Sequence, residues 1–324
     1  MPALLVNGNL RINGGVEVLG VNGSVHANGS MDLNGTSACI QQYYSAVGNI
    51  EPITAGNGGS CPYTTTPKHP GSDPIPVPKL DLSNPVYMVL SDYWLLNGLE
   101  YCGPGNPMNT PQCPAANGTS TIDVATGTVT NLVPVASSTG FGWNGGQKKW
   151  TSNNPAKGTY YTDMNVGLGG NFTKDLTIFA RGWIDITGSP NITPDMPPQP
   201  EGAYAMVAGT DLMITGDLLG APTFTGLYYA RDQVRFSGNA TVTGLVVSGN
   251  FSDCRWPLGT YVCDPDVTDS NNDNLVKRDS DGFVATGSGS ITITYNDPNG
   301  WKTLRMASWR ECRGTDPTNP CGNP

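Results

Sequence analysis

The chain is poor in charge. Of 324 residues, only 13% are Asp, Glu, Lys or Arg, about half the share of an ordinary soluble domain. Histidine is nearly absent, with His26 and His69 alone. Two isolated imidazoles leave no material for a histidine metal trio or a histidine-based triad. No CxxC spacing, GxSxG, HExxH or phosphate-binding loop occurs, which removes the common zinc, hydrolase and nucleotide signatures. No basic stripe exists, and the net charge is -9, so nucleic acid is excluded as an expected partner. No apolar run approaches the ~20 residues of a membrane span. Met1 to Val6 has neither a basic region nor a long apolar stretch; if the protein is exported, its targeting segment is expected outside this stretch.

Glycine and proline are abundant instead, 42 and 27 residues. Five Asn-Gly pairs open the chain, at 7–8, 13–14, 22–23, 28–29 and 34–35, spaced 6, 9, 6 and 6. Between them apolar residues alternate: Leu10 and Ile12, Val16 and Val18, Met31 and Leu33. Alternation with period two means strands with one buried face, and Asn-Gly supplies the positive φ of a tight turn. An antiparallel meander competes, since Asn-Gly also marks hairpins. The six-residue spacing decides for a parallel β-helix (β-solenoid), in which each short strand stacks on its copy one coil away. The same grammar returns at 176–188, 203–216, 218–250 and 288–295.

The fold expected is therefore all-β, a parallel β-solenoid with loop insertions and local disulfides. Residues 1–35 form the N-terminal rungs, 36–161 an insertion-rich segment, 162–311 the main solenoid, and 312–324 a Cys-closed tail. Within the insertions, IQQYYSAV from Ile40 reads as a helical patch, 62–80 as a Pro-rich extended connector holding a solvated His69, and Tyr87–Leu96 as a short strand or helix.

Eight cysteines fall into four local pairs: Cys39 with Cys61, Cys102 with Cys113, Cys254 with Cys263, and Cys312 with Cys321. Eight cysteines allow 105 connectivities, and neighbour pairing is the expectation. Each bridge would stabilise by about 3 kcal/mol in the chain-entropy account, and an oxidising, extracellular compartment follows.

Candidate sites are few. The acidic loop after Cys263 carries Asp264, Asp266, Asp269, Asn271, Asp273, Asp279 and Asp281. Alternating Asp and Asn on a loop is the donor grammar of Ca²⁺, although no Glu closes a twelve-residue EF-hand loop. Calcium is the one candidate cofactor, against a plain solvated acidic loop. Phe141, Trp143, Trp150, Tyr160 and Tyr161 form an aromatic group beside Gly-rich turns. Exposed, they would stack on sugar rings; buried, they would cap the solenoid. Asp185, Asp211, Asp217 and Asp232 stand one per coil with no pair singled out, so no catalytic residue is assigned. Thr-rich runs at 223–225, 241–243 and 290–294 have the composition of an ice-binding solenoid, but their interrupted spacing argues against a regular array. Eight Asn-x-Ser/Thr sequons follow from the turn chemistry and carry little weight.

The ordered set GSVHANGSMDLNG (23–35), DPIPVPKLDLSN (73–84), GTYYTDMNV (158–166), LTIFARGWIDITGSPNITPD (176–195), GLYYARDQVRFSGNATVTGLVVSGN (226–250) and SGSITITYND followed by MASWRE (288–311) resembles the PilX-type pilus-assembly proteins of bacteria. The resemblance spans most of the chain and departs from that group by lacking a hydrophobic N-terminal helix. It implies a non-enzymatic cell-surface or pilus-associated role, adhesive or structural, with pilus components or a surface glycan as partners. End-to-end self-association into filaments and a carbohydrate-active β-helix are the alternatives.

Overall fold

The computed structural model describes residues 1–33, 38–51, 61–63, 66–105, 110–195, 203–216, 222–251, 254–255, 262–263, 281–286 and 290–296. It is a three-sided parallel β-solenoid. The opening residues make one complete coil: Leu4–Val6 lies on side 1, Asn9–Ile12 on side 2 and Gly15–Leu19 on side 3. Val25 stacks on Leu4, Met31 on Leu10 and Ala38 on Val16. The six-residue spacing is thus the length of one side. A coil is three such sides, so Val25 follows Leu4 by 21 residues and Tyr44 follows Val25 by 19.

Alternation places Leu10, Ile12, Val16 and Val18 in the interior, fully buried. The burial of such a side chain contributes roughly 1.5–3 kcal/mol. Interior apolar residues stack rung on rung, as with Val234 on Phe283 and Phe236 on Ala285. Three strands, Thr173–Ala180, Thr223–Ala230 and Ala240–Ser248, bend from side 3 to side 1. Gly226 and Gly244 form two of these corners, with φ +103° and +146°. They stack on one another, and a Cβ on Gly244 would collide with the Gly226 carbonyl oxygen.

The order of coils in space is not the order in sequence. Side 1 runs from Tyr93–Leu96 through Gly158–Thr162, the side-1 halves of the three bent strands and Tyr204–Ala208, then continues to Leu4–Val6, Val25–Ala27, Tyr44–Ala46 and Lys68–Pro70. Leu4–Val6 pairs in parallel with Val246–Ser248, so the N-terminal coils dock on the C-terminal ones. The expected division into separate N-terminal and main solenoid segments dissolves into one stack.

This arrangement obliges the chain to return. Side 1 stacks ten parallel strands, a height of about 43 Å at about 4.8 Å per step. Residues 71–92 span it as an external strap; at about 3.1 Å per residue, extended Pro-rich chain reaches comfortably. The strap covers an outward column in strict register: Trp94, Tyr161, Phe179, Val207, Tyr229, Val247 and Leu5. Leu80, Leu82, Tyr87 and Met88 pack on that column as a second core. The Tyr229 hydroxyl donates to Pro78 O (2.8 Å) and accepts from Leu80 N (3.2 Å), while Tyr161 donates to Leu82 O (3.1 Å). Asp81, on the strap, would have its carboxyl raised by burial; the Ser83 hydroxyl and amide and the charges of Arg231 and Arg181 outweigh that and hold it low.

Three further expectations are corrected. IQQYYSAV is a rung, because Tyr44 and Ala46 point inward beneath stacked neighbours and tertiary pairing overrides helix propensity. His69 is exposed, but it lies on the strand Lys68–Pro70, before the strap begins. The Thr runs, separated in sequence, stack on consecutive rungs of side 3, because the intervening residues loop away and return to register. Around Tyr87–Leu96, helix and strand both occur, as Val86–Val89 and Tyr93–Leu96.

Tyr229→Phe removes both strap bonds and leaves the Leu80 amide unpaired. It is expected to destabilise the fold by about 1–3 kcal/mol, read as a lower urea midpoint, with faster proteolysis confined to residues 71–85.

Candidate functional site

Two disulfides are formed, Cys39–Cys61 and Cys102–Cys113, with Cα–Cα distances of 5.4 and 5.7 Å. They fit an oxidising, extracellular environment. The backbone sets Cys254 opposite Cys263 across a short antiparallel pair; Cys312 and Cys321 lie outside the described residues. No helix among the described residues is long and apolar enough to cross a membrane.

Four of the five aromatic rings are buried. Phe141, Trp150 and Tyr160 are buried in the interior core, and Tyr161 lies under the strap. The hairpin Gly142–Asn144 to Lys149–Ser152 closes side 2 at its first rung, with Trp143 against Trp150 at 5.2 Å. Burial corrects the sugar-stacking expectation for these four rings; Trp143 alone is partly exposed. Removing 141–161 would therefore strip the end of the core rather than a surface loop. Of the seven calcium candidates, Asp281 is described. It is buried at the start of Asp281–Thr286 and lies 3.8 Å from Arg11 Nη1. The other six lie outside the described residues.

The carboxylates of the rungs serve the scaffold. Asp185 pairs with Lys149 at 3.5 Å, and that ammonium lies over the Trp183 ring. Asp211 accepts from the Gln233 amide. Asp232 is buried, and Asp217 lies outside the described residues. His26 is a satisfied core residue: Nε2 faces Asn28 Oδ1 at 2.9 Å and Nδ1 faces Ser45 Oγ at 2.8 Å. Burial lowers its pKa, and the Asn28 bond only partly offsets this.

One titratable cluster was invisible in the sequence. Asp92 opens the strand after the strap, and Asp195 follows Asn191–Thr193 on side 3. Folding brings the two carboxyls into a shared hydrogen bond. Thr159 N donates to Asp92 Oδ2 at 2.7 Å, and Lys157 Nζ lies 3.7 Å from both Asp195 Oδ1 and Asp175 Oδ2. Burial pushes the Asp92 carboxyl up to about 7; the Thr159 amide and Lys157 pull it down, and the Asp195 charge adds to the rise. Two carboxyls that share a proton are closer than the about 5 Å that the tighter glycosidase pairs keep. The cluster is suited to holding a proton between strap and coil. No signal in the sequence marks it, since its members are separated by 103 residues and flanked by ordinary loop residues.

The chain matches no protein-family model, no curated protein and no solved structure.

Unfolded Asp titrates near 3.8 and folded Asp92 near 7. The folded chain therefore holds an extra proton between these values, and stability falls as the pH rises through that window. Asp92→Asn keeps the acceptor for Thr159 and should flatten this fall, measured by urea unfolding between about pH 4 and about pH 8. Trp150→Ala should cost about 3–5 kcal/mol as a core truncation, and Trp143→Ala much less, by the same measurement.

Proposed function

We propose that this chain is a non-enzymatic extracellular protein of a bacterial surface, associated with pili and acting as an adhesive or structural ectodomain. The observation that carries this reading is the build of the scaffold: a disulfide-stapled stack in which length variation is confined to loops while the rungs keep register. Such a scaffold presents variable loops on a rigid rod. The segments that resemble PilX-type proteins fall largely on the rungs; residues 226–250, for example, cover the strands Thr223–Ala230, Val234–Ser237 and Ala240–Ser248 in sequence. The partners proposed are pilus components or a cell-surface polymer or glycan.

The chemistry of the described carboxylates supports a non-enzymatic reading. Asp185 is held in an ion pair with Lys149, Asp211 accepts from the Gln233 backbone amide, and Asp92 accepts from the Thr159 backbone amide. A filament built by stacking solenoid ends is less well supported. The antiparallel hairpins Tyr93–Leu96 to Leu99–Cys102 and Gly142–Asn144 to Lys149–Ser152 cover one end. On side 1 the other end finishes in Lys68–Pro70, and Lys and Pro on an edge strand oppose strand addition.

Mechanical shearing of the producing bacterium tests the proposal. The protein should leave with the pilus fraction and be digested by protease added to intact cells. Retention in a protease-protected pool would refute it. Release of oligosaccharides from a polysaccharide panel would favour the carbohydrate-active alternative.

A further inference from the structure

The outward face of side 3 carries two parallel columns of threonine. One runs Thr223, Thr241, Thr292, and the other Thr225, Thr243, Thr294, each aligned rung on rung without a bulge. Asn191–Thr193 precedes them in the stack, with Asn191 on Thr223 and Ile192 on Phe224, which sets Thr193 beside Thr225. Along the first column Asn191, Thr223, Thr241 and Thr292 are 32, 18 and 51 residues apart in the chain, yet they occupy successive rungs. Insertions of unequal length have been accommodated while this face was kept in register.

The array has a defined lattice. Successive rungs are about 4.8 Å apart, and positions i and i+2 on a strand are about 6.7 Å apart. Both lengths lie close to repeat distances of the water lattice on a prism face of hexagonal ice. Threonine suits such a surface, because its β-branch restricts the side chain to few rotamers. Its hydroxyl both donates and accepts, while its methyl orders adjacent water. Thr193, Thr223, Thr225 and Thr243 are exposed, and Thr241, Thr292 and Thr294 are half-exposed. The hydroxyls of Thr225, Thr241, Thr243 and Thr294 donate to no protein group among the described residues; that of Thr223 bonds Asn191 and that of Thr292 approaches Glu17. Among the described residues charge stands at the margins of the array, as Asp175 with its partner Lys157 on one side and Glu17 on the other. No aromatic ring occurs in either column, so the platform that sugar stacking requires is missing.

We propose that this threonine face binds ice, holding an ordered layer of water on its two columns. The proposal is independent of the surface-protein reading, since it concerns a physical property of the purified chain.

The test uses the intact disulfide-bonded chain and ice as the probe, with ice-crystal shaping and thermal hysteresis read by nanolitre osmometry and recrystallisation followed in frozen sucrose. The native chain should shape ice and arrest recrystallisation. The double substitution Thr225→Lys with Thr243→Lys should abolish both effects with the thermal midpoint unchanged, while Thr187→Lys, exposed on side 2, should leave them intact. If the lysines unfold the chain, Thr225→Ala with Thr243→Ala is read in the same way. Absence of ice activity in the native chain would overturn the proposal, as would activity that survives in the folded double variant. A dimer in sedimentation that the double variant dissociates would overturn it too, by assigning the face to a second copy of the chain.

Discussion

The parallel pairing of Leu4–Val6 with Val246–Ser248 is the joint on which this molecule depends. It adds the first coil of the chain to the end of the last, so that two runs of rungs share one interior. Each step of a solenoid gains its backbone hydrogen bonds and apolar contacts from the neighbouring coil. A stack broken at this joint would expose two open ends, one of them lined by Leu4, Leu10 and Val16 and the other by Val246, Phe283 and Ile291. The joint is also costly in chain entropy, since Asn7 and Gly249, which it brings into hydrogen bond, are 242 residues apart. Folding with pairings of such separation is expected to be slow.

The strap follows from the joint. Once the chain has built its first coils at one end of the stack, it must travel back to begin the rest at the other. It does so over side 1, and the outward residues of that side are correspondingly apolar. Outward on side 1 the column reads Trp94, Tyr161, Phe179, Val207, Tyr229, Val247, Leu5 and continues as His26, Ser45 and His69, with Ile75 of the strap bonded to Asn28 beside His26. The carboxyl pair Asp92–Asp195 sits where the strap hands over to the stack, so its shared proton links the strap's end to side 3.

The three sides thus differ in character. Side 1 is sheathed by the strap. Side 2 carries the ion pairs Lys149–Asp185 and Arg11–Asp32 on its outer surface. Side 3 carries the threonine columns, nearly free of charge. A low overall charge is what a face of this kind requires, because charged side chains bind water too strongly to leave it ordered as in ice.

Much of the scaffold was legible in the chain. Asn-Gly spacing and the alternation of Leu10, Ile12, Val16 and Val18 fix parallel rungs, because turn geometry and side-chain alternation are local properties of a backbone. Near-neighbour cysteines likewise fix Cys39–Cys61 and Cys102–Cys113, since short loops close readily. What the tertiary structure alone decided is the order of the coils, the strap, the proton-sharing carboxyls and the continuity of the threonine face. Thr241 and Thr292 look unrelated across 51 residues, and Asp92 and Asp195 across 103. Register across a solenoid is set by hydrogen bonds between neighbouring coils and by the packing of interior columns. Loop length enters only weakly, because closing a longer loop costs little additional entropy. Sequence distance is therefore a poor guide to which outward residues meet, and the interruptions that argued against a threonine array are lengths of loop that the stack ignores.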